Sequence, residues 1–424
     1  MKYVSTRGEK KVDFVDAMSQ GLAEGGGLYQ PVDFPDLSYL LNNNYNNFAD
    51  FAVDFLAPFL AGSVLVDEVD SLTKAALNFP LKTNQLTDHL QVLELFHGPT
   101  LSFKDFGARF LAQCMSRLNQ PQCILVATSG DTGSAVASSF SGLSNLTAVV
   151  LFPKGKITAR QQAQITCWHK NILAVEVDGV FDDCQALVKS AFADEDFKQQ
   201  VHLSTANSIN IARLLPQMSY YAYCASQYYA THQAPLNFVV PSGNLGNVTA
   251  CFYAKQLGLP IGDITIACNA NRAVVDYLQT GDYHSKATIR TLANAMDVGA
   301  PSNFERLQSL WQQYPDLKAQ VSCGSVSDAD IQQAIIDAYH RYDYLICPHT
   351  AVGYHLAQQT PAEHTCLVST AHPAKFETVI EPLIKQTVPV PDALQMLLEK
   401  PQNFTSITSE LTVLKPLIIA HCKG

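Results

Sequence analysis

From residue 91 onward the chain repeats one unit: a short apolar run, a turn of small polar residues, then a helical segment. CILVA (123–127) leads through a glycine-containing turn into SAVASSF, and TAVVLF (147–152) leads through PKGK into ITARQQAQ. NILAVEV (171–177) leads through DGVFDD into CQALVKSAF, and NFVV (237–240) through PSGNLGN into VTACFYAKQL. DITIAC (263–268), DYLIC (343–347) and TCLVS (365–369) continue the series as further expected strands. Repetition of strand, turn and helix specifies a parallel sheet with helices on both faces. In such sheets ligands bind at the carboxyl ends of the strands, so the turns after these runs are where chemistry is expected.

The first 90 residues break the pattern. They hold the glycine cluster EGGGLYQP (24–31), the asparagine run NNNYNN (42–47) and helical runs near 48–78. The expected organisation is therefore an N-terminal domain over 1–90, a smaller α/β domain over 91–205 and a larger α/β domain over 206–424. A chain of 424 residues with 47% hydrophobic content can fill cores of that number. The net charge of −10 and the lack of any lysine/arginine cluster argue against nucleic acid as a partner. AVDFLAPFLAGSVLV (52–66), the longest apolar stretch, is broken by Asp54, Pro58 and Gly62, so no membrane span is expected. The opening MKYVSTRGEKKVDF lacks the apolar core of a signal peptide. Eleven scattered cysteines without a CxxC indicate buried thiols in a reducing cytoplasm.

HGPTLSFKDFG (97–107) places a single cation, Lys104, where a helix begins. Downstream, Phe106, Phe110, Leu111, Met115 and Leu118 recur at helical spacing. A helix N-terminus disfavours a positive charge by several tenths of a kcal/mol, roughly. Positive potential and apolar neighbours both favour the neutral amine, which is the nucleophilic form. The plain alternative is a solvated lysine at a loose helix start.

Two further turns are chemically loaded. In PSGNLGN, Gly243 and Gly246 let the backbone approach a ligand, and the following helix points free N–H groups back at the loop. Without the GK[ST] of a nucleotide loop, this cradle suits a phosphate monoester; close packing explains the same glycines equally well. ATSGDTGSA (127–135) offers hydroxyls at Thr128, Ser129 and Thr132. It can receive a carboxylate, or simply cap its helix. An amine, a carboxylate cradle and a phosphate cradle at successive strand ends together suit pyridoxal phosphate acting on an amino acid.

HGPTLSFKDFG, TSGDTGSA, ANSINIAR and PSGNLGN, in this order and spacing, resemble the threonine synthase family among the fold type II pyridoxal-phosphate enzymes. STRG (5–8) and GGLY (26–29) match that family's N-terminal segment, and STAHPAKF (369–376) its C-terminal part, so the similarity spans nearly the whole chain. The glycine loops alone would indicate only the superfamily. The resemblance implies a lyase of threonine biosynthesis that turns O-phospho-L-homoserine and water into L-threonine and phosphate, as a monomer or homodimer, with no metal. It implies Lys104 as the Schiff-base lysine and catalytic base. Gly243, Asn244, Leu245, Gly246 and Asn247 would hold the cofactor phosphate, Thr370 would face the pyridine nitrogen, and Asp131 would lie near the 3′-oxygen. Thr128, Ser129 and Thr132 would bind the substrate carboxylate and neighbouring groups, and Asn207 and Arg213 its phosphate. A dehydratase on the same fold, the nearest rival, would not need that second phosphate site. The chain departs from the family pattern at Asn247, where aspartate is frequent, at Leu245, where phenylalanine is common, and at Cys347, where an acid usually precedes PHTAVG. His97, His349 and His372 are read as structural hydrogen-bonding groups, and Arg160 as solvent-exposed.

Overall fold

A computed structural model describes residues 1–118, 120–359 and 362–423. Its strands in chain order are β1 (Tyr3–Ser5), β2 (Lys11–Val12), β3 (Tyr29–Pro31), β4 (Lys82–Gln85), β5 (Leu90–Glu94), β6 (Gln122–Ala127) and β7 (Leu146–Pro153). They continue as β8 (Ile172–Asp178), β9 (Leu203–Ser204), β10 (Leu236–Pro241), β11 (Ile261–Cys268), β12 (Val321–Ser325), β13 (Thr365–Ser369) and β14 (Thr405–Thr408). The helices that position the site are α1 (Phe48–Leu60), α2 (Lys104–Ser116), α3 (Asp131–Phe140), α4 (Ala159–Thr166), α5 (Ile211–His232) and α6 (Gly246–Gln256). Three more follow: α7 (Phe304–Gln313), α8 (Pro348–Gln359) and α9 (Leu411–Lys423).

Two parallel sheets carry the fold. The larger runs β12-β11-β10-β13-β5-β4, with only the edge strand β4 antiparallel to its neighbour. The smaller runs β14-β8-β7-β6-β9 and is parallel throughout. Strands such as β6 and β7 are apolar along nearly their whole length because helices cover both faces. A third, antiparallel sheet, β2-β1-β3, belongs to the N-terminal segment. Tyr3 fastens it by donating to the Phe59 carbonyl at 2.8 Å. The apolar face of α1 packs on α5, which also touches α2 and α6. The tyrosine-rich stretch 219–229 lies within α5, mostly buried.

The sheets do not follow the linear division at 91 and 206. β5 is an inner strand of the larger sheet, paired with the distant β13 so that Leu90 lies opposite Thr365. β14, near the C-terminus, completes the smaller sheet by pairing with β8. DYLIC also departs from expectation. The preceding helix ends at Asp343 in the left-handed region (φ 51°), and residues 344–347 connect it to α8 without joining a sheet. Ile346 and Cys347 are fully buried there, so the run is apolar because it is core, not because it is a strand. Among the described residues no helix is long and apolar enough to cross a membrane.

Candidate active site

Turns at the carboxyl ends of strands from both sheets converge on one cleft, whose open space including its mouth is about 970 Å³. Lys104 is the first residue of α2, as its neighbours' spacing requires. The loop that carries it is stitched to the end of β13. Phe103 N–H donates to the Thr370 carbonyl at 2.9 Å, and His372 N–H donates to the Leu101 carbonyl at 3.0 Å. This stitching sets Thr370 beside Lys104 in the cleft wall. The Lys104 amine has no hydrogen-bond partner among the described residues; it sits 4.9 Å from the centre of the Phe103 ring. Burial lowers its pKa to about 8, with Asp131 opposing and Lys375 and Arg213 adding to the effect.

The turn after β10 forms an anion cradle. The backbone N–H groups of Gly243 to Asn247 have no partner among the described residues, since a helix start leaves them unused. Gly243 is required by close packing: a Cβ there would lie 2.6 Å from the Met296 Cα. The left-handed position of the loop falls on Leu245 (φ 60°), not on either glycine. Asn244 braces the loop from the side, donating to Ser208 Oγ at 2.7 Å and accepting from Ser302 N–H at 2.5 Å. Asn247 Oδ1 accepts from the hydroxyls of Tyr220 and Tyr221, while its buried Nδ2 is unpartnered.

The turn after β6 repeats the device. Thr128 Oγ1 accepts from the N–H groups of Gly130 (3.0 Å) and Gly133 (2.8 Å), so this hydroxyl shapes the turn. Ser129, Asp131 and Thr132 keep free N–H groups, and the hydroxyls of Ser129 and Thr132 face the cleft without partners among the described residues. Asp131 opens α3. Its carboxylate accepts from Gln161 Nε2 at 3.0 Å and pairs with Lys375 Nζ at 2.7 Å, which holds its pKa below the ordinary carboxylate range despite burial.

Asn207 and Arg213 close the cleft from the start of α5. Asn210 caps that helix, accepting from Ala212 N–H at 3.1 Å, and this turn brings Asn207 and Arg213 to one wall. Arg213 is 1% exposed. One of its terminal nitrogens donates to the Ala206 carbonyl at 2.5 Å, whereas its Nε has no partner. Burial lowers its pKa to about 10, which still leaves a cation at neutral pH.

Every site residue singled out from the sequence thus lines this cleft, and so do others. His349 lies in it, buried, accepting from Ala295 N–H at 3.1 Å through Nε2; burial lowers its pKa to about 4. Cys347, beside it, approaches Thr350 Oγ1 at 3.2 Å. His97 and His372 lie outside the cleft, His97 at 2.7 Å from Glu94 and His372 capping the turn at Ala374. Arg160 is not a solvated side chain: it donates to the Ala374 carbonyl and pairs with Glu377 at 3.3 Å. Lys375 had no sequence signal beyond its place in STAHPAKF, because nothing local tells a buried lysine from a surface one.

Three family models tile the chain. One for pyridoxal-phosphate dependent enzymes matches residues 76–370. Those for the threonine synthase N terminus and C-terminal part match 2–77 and 350–418. A threonine synthase of Serratia marcescens is 39% identical over 401 residues, covering 92% of each chain. The chain belongs to the threonine synthase family. Among solved structures, the threonine synthase of Escherichia coli matches with a TM-score of 0.93 at 37% identity, over 99% of this chain and all of that one. The pyridoxal-phosphate-bound threonine synthase of Brucella melitensis matches equally, with a TM-score of 0.93 at 32% identity over the whole of both chains. The fold is therefore that of the fold type II pyridoxal-phosphate enzymes, and pyridoxal phosphate is the cofactor. The cleft's own features fit such a group: a phosphate-sized cradle of unused N–H groups, an unpartnered Asn247 amide and a desolvated lysine.

Proposed function

We propose that this chain converts O-phospho-L-homoserine and water into L-threonine and inorganic phosphate in the cytoplasm. The observation that carries this reading is a doubled anion site. The cradle at Gly243–Asn247 and the buried, incompletely paired Arg213 share one cleft with Lys104. An enzyme handling a phosphorylated substrate needs a phosphate position for the cofactor and a second for the substrate.

Bound in the cleft, the cofactor supplies an electron-poor ring that delocalises the negative charge left when a C–H bond breaks. Gly243, Asn244, Leu245, Gly246 and Asn247 would hold its phosphate, Asp131 would serve its 3′-oxygen, and Thr370 would offer a hydroxyl to the ring nitrogen. A hydroxyl there, unlike a carboxylate, does not keep a proton on the ring. The N–H groups after β6, with the hydroxyls of Ser129 and Thr132, receive the substrate carboxylate, and Thr128 supports them by shaping the turn. Asn207 and Arg213 hold the substrate phosphate; the guanidinium fork matches two phosphate oxygens. Lys104 holds the cofactor at rest. Freed by substrate, its amine takes the proton from the α-carbon and then from the β-carbon. Phosphate leaves from the γ-carbon, Lys104 returns one proton there, water adds its hydroxyl at the β-carbon, and a proton goes back to the α-carbon; the proton left from water goes to the departing phosphate. An amine with a pKa near 8 is suited to both taking and returning protons near neutral pH.

Purified protein supplied with phosphohomoserine is expected to release threonine and phosphate in equal amounts. Release of a keto acid from serine or threonine, with no phosphate from phosphohomoserine, would instead assign the chain to the dehydratase reaction.

A further inference from the structure

The floor of the cleft holds more charge than the reaction uses. Lys375 is completely buried, in the short turn Pro373–Lys375 after β13. Its Nζ lies 2.7 Å from Asp131 Oδ1 and donates to the Thr100 carbonyl at 2.9 Å. The turn is clamped from α4: Thr158 Oγ1 donates to the Lys375 carbonyl at 3.2 Å, and Arg160 reaches the Ala374 carbonyl and Glu377. Gln161, also on α4, donates through Nε2 to the same oxygen, Asp131 Oδ1, at 3.0 Å. A buried ion pair braced this way is a weak stabiliser, because desolvating two ions offsets their attraction. Its orientation therefore points to a task.

Asp131 faces two lysines. Lys104, at the start of α2, is close enough to interact with it, yet the hydrogen-bonded contact goes to Lys375. We propose that Lys375 is a positioning residue: by claiming the Asp131 carboxylate it denies Lys104 a counter-ion and leaves Lys104 free to work as an amine. The charge balance around Lys104 supports this. Burial favours the amine; Lys375 and Arg213 reinforce it, and Asp131 and Cys347 oppose it. His349 faces the same group and stays neutral, its pKa lowered by burial. Around Lys375 itself stand Asp131, Asp105, Lys104, His349 and His372. Asp105 is engaged elsewhere, accepting from Thr100 N–H at 2.9 Å and Thr100 Oγ1 at 2.6 Å. Remove Lys375, and Lys104 becomes the nearest cation left to balance Asp131. The ammonium form then gains a partner within the range where an opposite charge shifts a pKa by about 1–3 units.

The inference rests on the proposed role of Lys104, and the experiment separates the two. In the full chain freed of cofactor, acylation of Lys104 by a small anhydride is followed against pH by peptide mass. The wild-type midpoint is expected near about 8. Lys375→Met is expected to raise it by about one unit or more, cutting amine reactivity at pH 7.5 roughly tenfold, while Lys375→Arg keeps the wild-type profile. If Lys375→Met does not fold, Lys375→Gln, which removes the charge but keeps a donor for the Thr100 carbonyl, gives the same information with Asp131 intact. A wild-type midpoint in whichever of the two folds overturns the role of Lys375. Borohydride reduction of the loaded wild-type enzyme should fix the cofactor to Lys104; a label on another lysine would overturn the functional reading instead.

Discussion

Arg213 is a buried cation whose guanidinium is incompletely paired. Its Nε has no partner and lies against Gly107 of α2, 3.2 Å from where a Cβ would stand there, and the cost of leaving a charged donor unsatisfied is of the order of 1–3 kcal/mol or more. Under the proposed function, the guanidinium holds the substrate phosphate. Arg213→Lys keeps the charge and loses the planar fork. It is expected to raise KM for phosphohomoserine and to lower kcat/KM at least tenfold, about 1.4 kcal/mol of transition-state stabilisation, in steady-state kinetics. The cofactor absorbance should not change, because the Gly243–Asn247 cradle is separate. Wild-type kinetics in this variant would place the substrate phosphate elsewhere. At the same scale, the departures from the family pattern are accommodated. Asn247 serves as acceptor for two tyrosine hydroxyls, and Cys347 packs against Thr350 in place of an acid.

At the scale of elements, the turn after β10 is a strand end, a left-handed residue and a helix start held against a neighbouring segment. Gly243 is the point of contact, since Met296 backbone leaves no room for a side chain. Gly243→Ala is expected to push the loop off Met296 and misalign its free N–H groups. Cofactor affinity, measured by absorbance titration of the apoprotein, should fall at least tenfold, which corresponds to roughly 1.4 kcal/mol. Retained affinity would show that the loop can shift without losing its anion geometry. Leu245, not a glycine, takes the strained left-handed conformation, and it is 1% exposed. Packing of its side chain thus offsets a backbone preference that local propensity alone would assign to Gly243 or Gly246.

At the scale of the whole molecule, acid stability follows from which histidines are buried. Burial depresses both His349 and His372 to about 4 from an ordinary 6.5. Their stability contribution is complete above pH 6.5 and is lost as pH falls through about 4, because the unfolded chain takes up protons first. Asp297 acts in the opposite direction: burial raises it to about 6, so its folded form gains stability as pH falls from there towards 3.8. Asp105, also raised by burial, acts with Asp297, and the two depressed histidines act against them; the expected net result is a loss of stability towards pH 4. The thermal midpoint should therefore drop steadily between pH 6.5 and 4.5. His349→Gln combined with His372→Gln should flatten the curve; a flat curve in the wild type would rule this balance out.

By itself the sequence determined the repeating strand–turn–helix layout, the start of α2 at Lys104 and the loaded turns after β6 and β10. These are local properties, written in apolar periodicity, glycine placement and helix-start chemistry, and they need no knowledge of distant residues. Tertiary structure alone decided what depends on partners far along the chain. It placed β5 beside β13 and β14 beside β8, so strand membership crosses the linear division. It made DYLIC a buried connection, because an apolar run reports burial and not hydrogen-bond partners. It turned Arg160 into a clamp and Lys375 into the partner of Asp131, 244 positions away by their numbering. The worth of a charge is set by the dielectric and by the neighbours around it, and both are fixed only when the sheets come together.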